Sequence, residues 1–345
     1  MDCKPELSII MCFYNIPEMY FSECLESLFN QEIDFEVEYV FVNDASTDGT
    51  LKILEEYLER YPEIKSRSKI VNNPQNMGLG ASRKIGFSNS TGKYIINIDG
   101  DDWHEKDMFK KMYHYAEDTK SDVVISDMYW EYPTKFRRRR VRLGKDKADT
   151  LRRMVSGQIH CGPPNKMIKR SVYERLFAAG DEIYPEGVNM WEDVATNIPL
   201  FYHAEKISYL DAALYHYRKF GQNFYTQTLS LASFRSMELA VDALTRFAQR
   251  HNLDWDYLLA CQRLIVKKNF LWNSRKEDER EVIHLHDELS KNALRYKEIS
   301  LFSRLALYMI ANGHEGVFHG MKRVKRGWER CRYILTTSRR KKLRN

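Results

Sequence analysis

Short apolar runs alternate with amphipathic helical spacings over the first 126 residues of the chain. The apolar runs predict five strands, at Leu7–Phe13, Glu38–Val42, Ser68–Val71, Tyr94–Ile98 and Asp122–Ser126. Helical spacing between these runs predicts helices over Pro17–Asn30, Leu51–Tyr61 and Leu79–Ser90. This alternation predicts an α/β fold, with a mostly parallel sheet flanked by helices and joined by right-handed crossovers.

The pattern changes after Tyr132, where Lys135 and Arg137–Arg140 form a basic run. We interpret this run as the link between two halves of one domain. Helices and irregular loops such as CGPPNK fill residues 147–218, and helical spacing continues from about Ser230. These shifts predict a domain at 1–220 with halves 1–130 and 131–220, a helical extension at 221–320 and a basic tail at 321–345.

The composition is that of a folded globular protein, with 43% hydrophobic and 13% aromatic residues among 345. The apolar run in MDCKPELSIIMCFYN is interrupted too early for a secretory leader, and no stretch approaches about 18 consecutive apolar residues. The six cysteines lack metal-site spacing, so we expect reduced, buried thiols at Cys12 and Cys24. These features predict a cytoplasmic protein without a membrane-spanning helix.

The net charge of +6 is concentrated at the C-terminus. Residues 321–345 contain eleven Lys or Arg and one Glu, which leaves a charge of −4 on the other 320 residues. No nucleic-acid-binding motif accompanies this charge, so we expect no nucleic-acid partner. The sequence indicates no particular oligomeric state.

Helical spacing also places an apolar stripe along the C-terminal region. The stripe consists of Val317, Met321, Val324, Trp328, Cys331 and Leu335, and the remaining faces carry Lys322, Arg323, Lys325, Arg326, Arg330 and Arg332. An apolar stripe with basic flanks suits the surface of an anionic membrane. The alternative is a helix that packs its stripe on the body of the protein or on a partner subunit.

The strand at Tyr94–Ile98 runs directly into three carboxylates, Asp99, Asp101 and Asp102. Like charges this close repel one another, which favours a bound cation, and oxygen ligands suit Mg²⁺ or Mn²⁺. Ligands of open α/β sheets bind beyond the carboxyl ends of the strands. The simpler alternative is an acidic loop in which Asp102 caps the next helix, EKDMFKKMYHYA.

Four segments occur in a recognisable order: SIIMCFYN (Ser8–Asn15), FVNDASTDGT (Phe41–Thr50), NPQNMGLGASRKIGFSNSTGKYIINIDGDD (Asn73–Asp102), and WED (Trp191–Asp193) followed by YHYR (Tyr215–Arg218). Over residues 6–220 the chain resembles the inverting family-two glycosyltransferases with a GT-A fold. It is most similar to bacterial enzymes that build capsular polysaccharide, exopolysaccharide or teichoic acid. The resemblance implies a Rossmann-like sheet, a nucleotide-sugar donor and a divalent metal ion.

The resemblance assigns a nucleotide-sugar site to residues near the strand ends. They are Tyr14 and Asn15 beside the base, Asp44 at a uracil N3–H or a ribose hydroxyl, Asn76 and Arg83 facing the nucleotide and its diphosphate, and Arg218 as a clamp on the diphosphate. The chain departs from the family at Met11-Cys12, where a proline is usual, and at Asn43, where a first aspartate is usual. The segment after Asp44 also suits a plain turn and helix cap.

The segment Asp99-Gly100-Asp101 matches the DxD signature of the family. The resemblance makes Asp101 a metal ligand and lets Asp99 bind the ribose or the metal ion. Gly100 would allow the sugar to approach the backbone. His216 is a further candidate metal ligand, and a packed structural histidine is the alternative.

Asp193 matches the general base of similar enzymes, and Glu192 would orient Asp193 or bind the acceptor. Inversion needs a base on the face of the sugar opposite the leaving group, where it takes the proton of the acceptor hydroxyl. Acidic residues are also common at helix starts, so these two residues could simply begin the helix VATNIPLFYHA.

These features predict a metal-dependent inverting hexosyltransferase of cell-surface polysaccharide synthesis. It would move a sugar, most simply from a UDP-sugar, to a glycan or lipid-linked acceptor at the inner face of the cell membrane. The alternatives are a nucleotide-sugar-binding GT-A protein without activity and a membrane-surface protein driven by the basic tail. A sugar-phosphate nucleotidyltransferase would need a Gly-rich loop after the first strand, where this chain has FYNIPEMY.

Overall fold

A computed structural model describes residues 4–220, 229–274 and 276–325. Contacts between residues divide the chain into two compact units. The first unit contains Met1–Phe224 and Leu239–Leu253, and the second contains Tyr225–Glu238 and Asp254–Asn345. The domain limits expected from the sequence stay a prediction.

The first unit contains a mixed sheet of nine strands within the described residues. The strands are β1 (Leu7–Phe13), β2 (Val37–Asn43), β3 (Ser68–Asn72), β4 (Tyr94–Asp99), β5 (Trp103–His104), β6 (Val123–Tyr132), β7 (Lys135–Arg139), β8 (Lys166–Lys169) and β9 (Ile207–Arg218). Their order is β3-β2-β1-β4-β8-β6-β9-β5, and β7 pairs with β6. The predicted α/β class is confirmed.

The parallel part of the sheet is its first half. Strands β3, β2, β1 and β4 are parallel neighbours, as their connecting helices require. In the second half β8 lies antiparallel between β4 and β6, and β7 turns back on β6. Antiparallel neighbours need only a short connection, and two residues join β6 to β7. The basic run at residues 137–140 therefore lies on the second strand of this hairpin and directly after it.

The helices flank the sheet and then dominate the C-terminal part. They are α1 (Glu18–Phe29), α2 (Thr50–Arg60), α3 (Pro62–Lys65), α4 (Leu79–Ser88), α5 (Met108–Thr119), α6 (Lys147–Val155), α7 (Arg170–Ala178), α8 (Glu192–His203), α9 (Leu231–Arg250), α10 (Asp256–Asn273), α11 (Lys276–Val282), α12 (Asp287–Lys291) and α13 (Leu301–Ala311). Residues 315–325 are helical as well. No described helix is long and apolar enough to cross a membrane.

The core explains why the first strands appear as continuous apolar runs. Every residue of β1 is buried, and so is every residue of β4 before Asp99. Alternate β1 side chains, from Leu7 to Phe13, join one cluster with Phe21 and Leu25 of α1. A strand that is covered on both faces shows no polar alternation, because neither face meets water.

Two expectations are corrected by the structure. Asp102 does not cap the helix after it, because β5 intervenes and α5 begins at Met108. Lys322, predicted on a basic flank of the stripe, is 5% exposed, and its Nζ donates to the Leu271 and Ser274 carbonyls. The sequence left a strand or a loop open at His216 and Arg218, and the structure shows the twelve-residue strand β9 there.

The cysteine prediction is confirmed at the positions that the structure describes. Cys12 and Cys24 are buried free thiols, as are Cys161 and Cys261. Cys12 lies on β1 and Cys24 on α1, where both contribute to the core.

Candidate active site

The carboxyl ends of β1, β2 and β4 meet at one edge of the sheet. The register pairs Phe13 with Asn43 and Cys12 with Asp99, so the residues that follow these positions emerge side by side. This is the edge at which ligands of α/β sheets bind. Each of the first three recognised segments therefore contributes to a single place.

The residues after β1 hold the loop that follows β2. Asn15 has a φ of 48°, and its Oδ1 accepts a hydrogen bond of 2.8 Å from the Thr47 backbone N–H. Its own backbone N–H donates to Ser46 Oγ at 3.2 Å. Tyr14 beside it is 42% exposed. This leaves an accessible aromatic ring next to a fixed loop.

Asp44 fixes the loop between β3 and α4. Its Oδ1 accepts from Asn73 Nδ2 and from the Met77 N–H, both at 2.8 Å, and its Oδ2 accepts from the Gly78 N–H at 2.9 Å. Asn76 lies exposed in this loop. The described contacts of Asp44 are therefore structural ones, and its assignment to the nucleotide stays a prediction.

Two glycines allow the same loop to lie against the segment before α8. Gly78 has φ +87° and ψ 162°, a region that is essentially reserved for glycine. A Cβ added there would lie 2.2 Å from Asn189 Oδ1, and one added at Gly80 would lie 2.6 Å from the Val188 carbonyl oxygen. The two recognised segments are thus in direct contact.

Arg83 joins the DGD segment to the WED segment. Its Nη2 donates to Asp99 Oδ1 at 2.7 Å, and its Nη1 donates to Glu192 Oε1 at 2.6 Å. The guanidinium is 3% exposed, so both carboxylates compensate a buried charge. In this arrangement Arg83 engages two acids of the chain, and contact with a diphosphate stays a prediction.

The acids at the end of β4, Asp99, Asp101 and Asp102, have different environments. Asp102 is buried and accepts from the Tyr215 hydroxyl at 2.6 Å and from the Arg218 N–H at 2.7 Å, which ties the loop to β9. Asp101 forms no salt bridge with any described residue. Gly100 packs against Phe21, whose ring carbons would lie 3.3 Å from an added Cβ. Asp102 is therefore a structural acid that sequence reasoning had grouped with the ligands.

The donor set of Asp99 and Asp101 fits a hard divalent cation. Burial raises the pKa of the Asp101 carboxyl to about 6, and the charge of Asp99 adds to that rise. A cation beside this pair would relieve both the desolvation and the repulsion, and carboxylate oxygens are the donors that Mg²⁺ and Mn²⁺ prefer.

His216 takes a different position from the one expected of a metal ligand. Its ring stacks on Trp103 with centroids 3.4 Å apart, and its Nε2 lies 3.0 Å from Glu105 Oε1. Among the described residues, Asp99, Asp101 and His216 do not form a group of ligand atoms close enough for one ion. The packed-histidine alternative accounts for these contacts.

Arg218 is also engaged by the protein itself. Its Nη2 donates to Glu23 Oε2 at 2.7 Å, and its guanidinium carbon lies 4.4 Å from the centroid of the Tyr20 ring. Its Nε is buried without a hydrogen-bond partner in the described part of the chain. The diphosphate clamp stays a prediction.

Glu192 and Asp193 begin α8, directly after Trp191 in the left-handed region with φ 66°. Burial raises the pKa of Asp193, and burial also raises that of Glu192, which the ion pair with Arg83 opposes. Asp193 Oδ1 accepts from the Val194 N–H at 2.8 Å. A carboxylate with a raised pKa is a stronger proton acceptor than an ordinary aspartate, which suits a general base.

Sequence reasoning did not identify the residues of the CGPPNK loop. Lys166 is 1% exposed, and its Nζ donates to the Gly162 carbonyl and, at 2.8 Å, to Asn165 Oδ1. Burial lowers its pKa to about 8, and the charge of Asp193 acts against that fall. The Pro-Pro pair before Asn165 was the available signal, because it predicts a rigid turn.

Residues 8–177 match the family profile described as "Glycosyl transferase family 2". Residues 8–177 are a family 2 glycosyltransferase domain. The first three recognised segments, from Ser8 to Asp102, lie inside this domain, and the WED segment follows it.

Curated relatives agree with the family. The putative glycosyltransferase EpsH of Bacillus subtilis is 33% identical over 226 residues, which cover 62% of this chain and 61% of EpsH. The cholesterol galactosyltransferase of Borreliella burgdorferi is 28% identical over 286 residues, covering 78% of this chain and 73% of the relative. The match thus spans about three fifths of the length of EpsH.

Solved structures confirm the GT-A fold. Residues 1–349 of S. aureus TarS in complex with UDP-GlcNAc superpose with a TM-score of 0.66 at 20% identity, covering 93% of this chain and 92% of that one. The mannosyltransferase PcManGT of Pyrobaculum calidifontis, in complex with GDP-Man and Mn²⁺, gives a TM-score of 0.51 at 16% identity, with coverage of 95% and 88%.

Proposed function

We propose that this chain is a metal-dependent, inverting glycosyltransferase that moves a sugar from a UDP-sugar to a hydroxyl of a glycan or lipid-linked acceptor in cell-surface polysaccharide synthesis. The observation that carries the proposal is the Arg83 bridge between Asp99 and Glu192. This bridge holds the acids at the end of β4 beside the acid pair at the start of α8. Donor and acceptor chemistry would then meet in one place.

On the donor side, Tyr14, Asn15, Asp44 and Asn76 lie on or beside loops that the described hydrogen bonds hold in place. Fixed loops support recognition because little ordering remains to be done on binding. The solved relatives bind UDP-GlcNAc in one case and GDP-Man in another, so the fold alone does not choose the base. We propose a UDP-sugar because Asp44 Oδ2 accepts only the Gly78 N–H among the described hydrogen bonds, which leaves one acceptor site for a uracil N3–H.

Asp101 and Asp99 would hold a Mg²⁺ or Mn²⁺ ion in this proposal. Such an ion would stabilise the negative charge that develops on the departing nucleoside diphosphate. Arg83 would keep Asp99 oriented, and Gly100 would leave the backbone open to the sugar.

On the acceptor side, Asp193 would take the proton of the attacking hydroxyl as the bond from that oxygen to the sugar C1 forms. The bond from C1 to the diphosphate oxygen breaks on the opposite face, which inverts the anomeric centre. Glu192 is paired with Arg83, so we assign it a positioning role. The raised pKa of Asp193 favours the uptake of this proton.

We also propose that the protein works at the cytoplasmic face of a membrane. In the helix at residues 315–325, Phe318 and Lys322 are buried, whereas Val317 is 46% and Val324 is 59% exposed. The described part of the predicted stripe is therefore available for lipid. Trp328, Cys331 and Leu335 lie outside the described residues. A lipid acceptor is also consistent with the relative from Borreliella burgdorferi, whose name, cholesterol galactosyltransferase, specifies a lipid acceptor.

The proposal is tested by thermal-shift titration with UDP, GDP and their sugars, with and without Mn²⁺. We expect UDP to stabilise the protein, and Mn²⁺ to strengthen that effect. Asp101→Asn should make UDP affinity insensitive to Mn²⁺ and abolish transfer. Full activity in excess EDTA would contradict the metal assignment, and preference for GDP would contradict the assignment of the base.

A further inference from the structure

A cluster of cations and aromatic rings lies on the hairpin of β6 and β7 and is not used by the proposed mechanism. Residues 135–142 contain six Lys or Arg and no acid. The guanidinium carbon of Arg139 lies 4.2 Å from the centroid of the Trp130 ring. Lys219 Nζ lies 4.8 Å from the same ring and 4.1 Å from the ring of Tyr217.

We propose that this cluster is an acceptor subsite that binds an anionic group, a phosphate or a carboxylate, carried by the acceptor chain. The proposal rests on the proposed glycosyltransferase function and specifies its acceptor. Arg139, Arg140 and Lys219 would contact the anion, and Trp130 and Tyr217 would provide a surface for a sugar ring.

The strand register places this surface on the same face as the candidate active site. Trp130 pairs with Tyr217 and Met128 pairs with Tyr215, so these side chains share one face of the sheet. Tyr215 on that face donates its hydroxyl proton to Asp102. Burial raises the pKa of Tyr217, and the charges of Asp102, Asp99, Asp101 and Asp193 add to it. The cluster is therefore within electrostatic reach of the acids.

The pairing of the hairpin arginines differs between its two faces. Arg138 points away from the cluster and its charge is paired with two carboxylates, since its Nε donates to Asp127 Oδ2 at 2.7 Å and its Nη2 to Asp211. Arg139 and Arg140 form no salt bridge with any residue in the described ranges, and neither does Lys219. The chain thus neutralises one arginine of the hairpin and leaves its neighbours available to a ligand.

The positive groups also face one another, which costs free energy unless an anion is bound. Burial lowers the pKa of His160 to about 3, and the charges of Lys166, Lys219 and Arg139 contribute to that fall. Burial likewise lowers the pKa of Lys219, which Asp102 opposes and Arg139 reinforces. An anion at this place would offset the repulsion among these groups.

A polar group without a partner supports a ligand in the same place. Trp130 Nε1 is buried and has no hydrogen-bond partner in the part of the chain that the structure describes. Trp130, Arg139, Arg140, His160 and Asn165 help to line a cavity of about 20 Å³. This volume accepts a water molecule and no sugar. A ligand would therefore lie across the mouth of the cavity, where the arginines are exposed.

Direct binding to the full-length protein tests the proposal without nucleotide. The probes are tripolyphosphate, an oligogalacturonate and the neutral maltohexaose, titrated at low and at high NaCl. We expect one anionic probe to bind, with an affinity that falls as salt screens the charges, and maltohexaose to bind more weakly. The two anionic probes distinguish a phosphate from a carboxylate acceptor.

The variant Arg139→Gln/Arg140→Gln should weaken binding of that anionic probe by about tenfold or more, the equivalent of about 1.4 kcal/mol. Arg152→Gln is the matched control, because Arg152 is an exposed arginine that does not line the cavity. UDP-induced stabilisation reports whether each variant is folded and still binds nucleotide, so failure of the proposed function is seen separately.

Equal affinity of wild type and double variant for the anionic probes would overturn the subsite, and so would equal or tighter binding of maltohexaose. A loss of UDP affinity in place of probe affinity would overturn it as well and would assign the arginines to the donor. Tighter binding of a single-stranded oligonucleotide than of either anionic probe would also overturn it in favour of a nucleic-acid ligand.

Discussion

At the scale of single residues, the chemistry of the site depends on which acids the protein leaves without a structural partner. Asp102 accepts hydrogen bonds from Tyr215 and Arg218, and the loop between β3 and α4 uses three of the four acceptor sites of Asp44. The Glu192 carboxylate is paired with the Arg83 guanidinium. Asp193 accepts a backbone hydrogen bond and forms no salt bridge with any described residue, and this distinguishes it from Glu192 as the acid available for proton transfer.

We expect Asp193→Asn to lower the rate of transfer by about 10² to 10⁴, because an amide cannot take up the proton of the acceptor hydroxyl. Affinity for UDP should stay close to that of wild type. Steady-state transfer rates and UDP titration measure the two quantities. Asp118→Asn, at an exposed site on α5, is the control for the loss of one negative charge. A variant that loses UDP affinity instead would make Asp193 a donor contact.

At the scale of elements, the loop before α4 depends on the absence of a side chain at Gly78. We expect Gly78→Ala to destabilise the protein by more than Gly180→Ala, which serves as the control. Both glycines have positive φ, +87° and +76°, but an added Cβ meets Asn189 only at the first position. Backbone strain alone costs about 1–3 kcal/mol. The difference between the two variants in urea unfolding measures the collision with the segment before α8 together with the additional backbone strain at Gly78.

The Gly78→Ala variant should also weaken UDP binding, because the loop carries Asn76 and is held by Asp44. The Gly180→Ala variant should bind UDP normally. Equal free energies of unfolding in the two variants would show that the loop can move away from Asn189 without cost.

The ends of α8 and α9 are tied by a charged network around Asp181. His203 Nε2 and His251 Nε2 each lie 2.7 Å from Asp181 Oδ2, and Arg250 Nη1 lies 2.7 Å from Oδ1. Burial raises the pKa of Asp181, but these three hydrogen bonds bring it below its ordinary value. Burial lowers the pKa of His203 by more than Asp181 raises it. The fold therefore favours ionised Asp181 and neutral His203.

This network predicts a loss of stability on acidification. A histidine with a lowered pKa in the fold stabilises the protein above its unfolded pKa of about 6.5, and this contribution is lost as pH falls below that value. The Asp181 contribution persists until pH falls below about 4. Thermal unfolding between pH 7.5 and 5.5 should show a smaller fall in Tm for His203→Gln than for wild type. His314→Gln, at an exposed histidine, should behave as wild type. Identical pH profiles for all three proteins would contradict the assignment to His203.

At the scale of the whole molecule, the exposed stripe of the helix at residues 315–325 should mediate membrane contact. We expect Val317→Glu/Val324→Glu to reduce co-sedimentation with anionic vesicles and to leave UDP affinity unchanged, because charge on this stripe opposes its insertion among lipid head groups. Leu285→Glu/Leu294→Glu is the matched control, since both leucines are 43% exposed elsewhere in the chain.

These substitutions are a cleaner test than truncation at Gly320. Truncation there would remove Lys322 and leave Glu279, its buried ion-pair partner, without that charge. Equal sedimentation of the stripe variant and the control, or equal binding to zwitterionic and anionic vesicles, would remove the membrane contact from the proposal.

The amino-acid sequence by itself determined the first half of the fold and the family of the domain at residues 8–177. Runs such as Leu7–Phe13 define strands because they are buried on both faces, and this makes them apolar without interruption. The order of the four segments then predicted the family 2 domain. These signals are local: each depends on residues that are close in the chain, so no knowledge of distant contacts is required.

Only the tertiary structure decided which polar groups are engaged and which are available. Arg83 and Glu192 are 109 residues apart, and Asp102 and Tyr215 are 113 apart. A charged residue has the same letter in a sequence whether it lies on a surface helix or in a buried ion pair. The free energy of the pair depends on the distance between the charges and on their desolvation, and neither can be read from the sequence. For the same reason sequence spacing assigned Lys322 to a basic flank of the stripe, whereas the fold buries it against the Leu271 and Ser274 carbonyls.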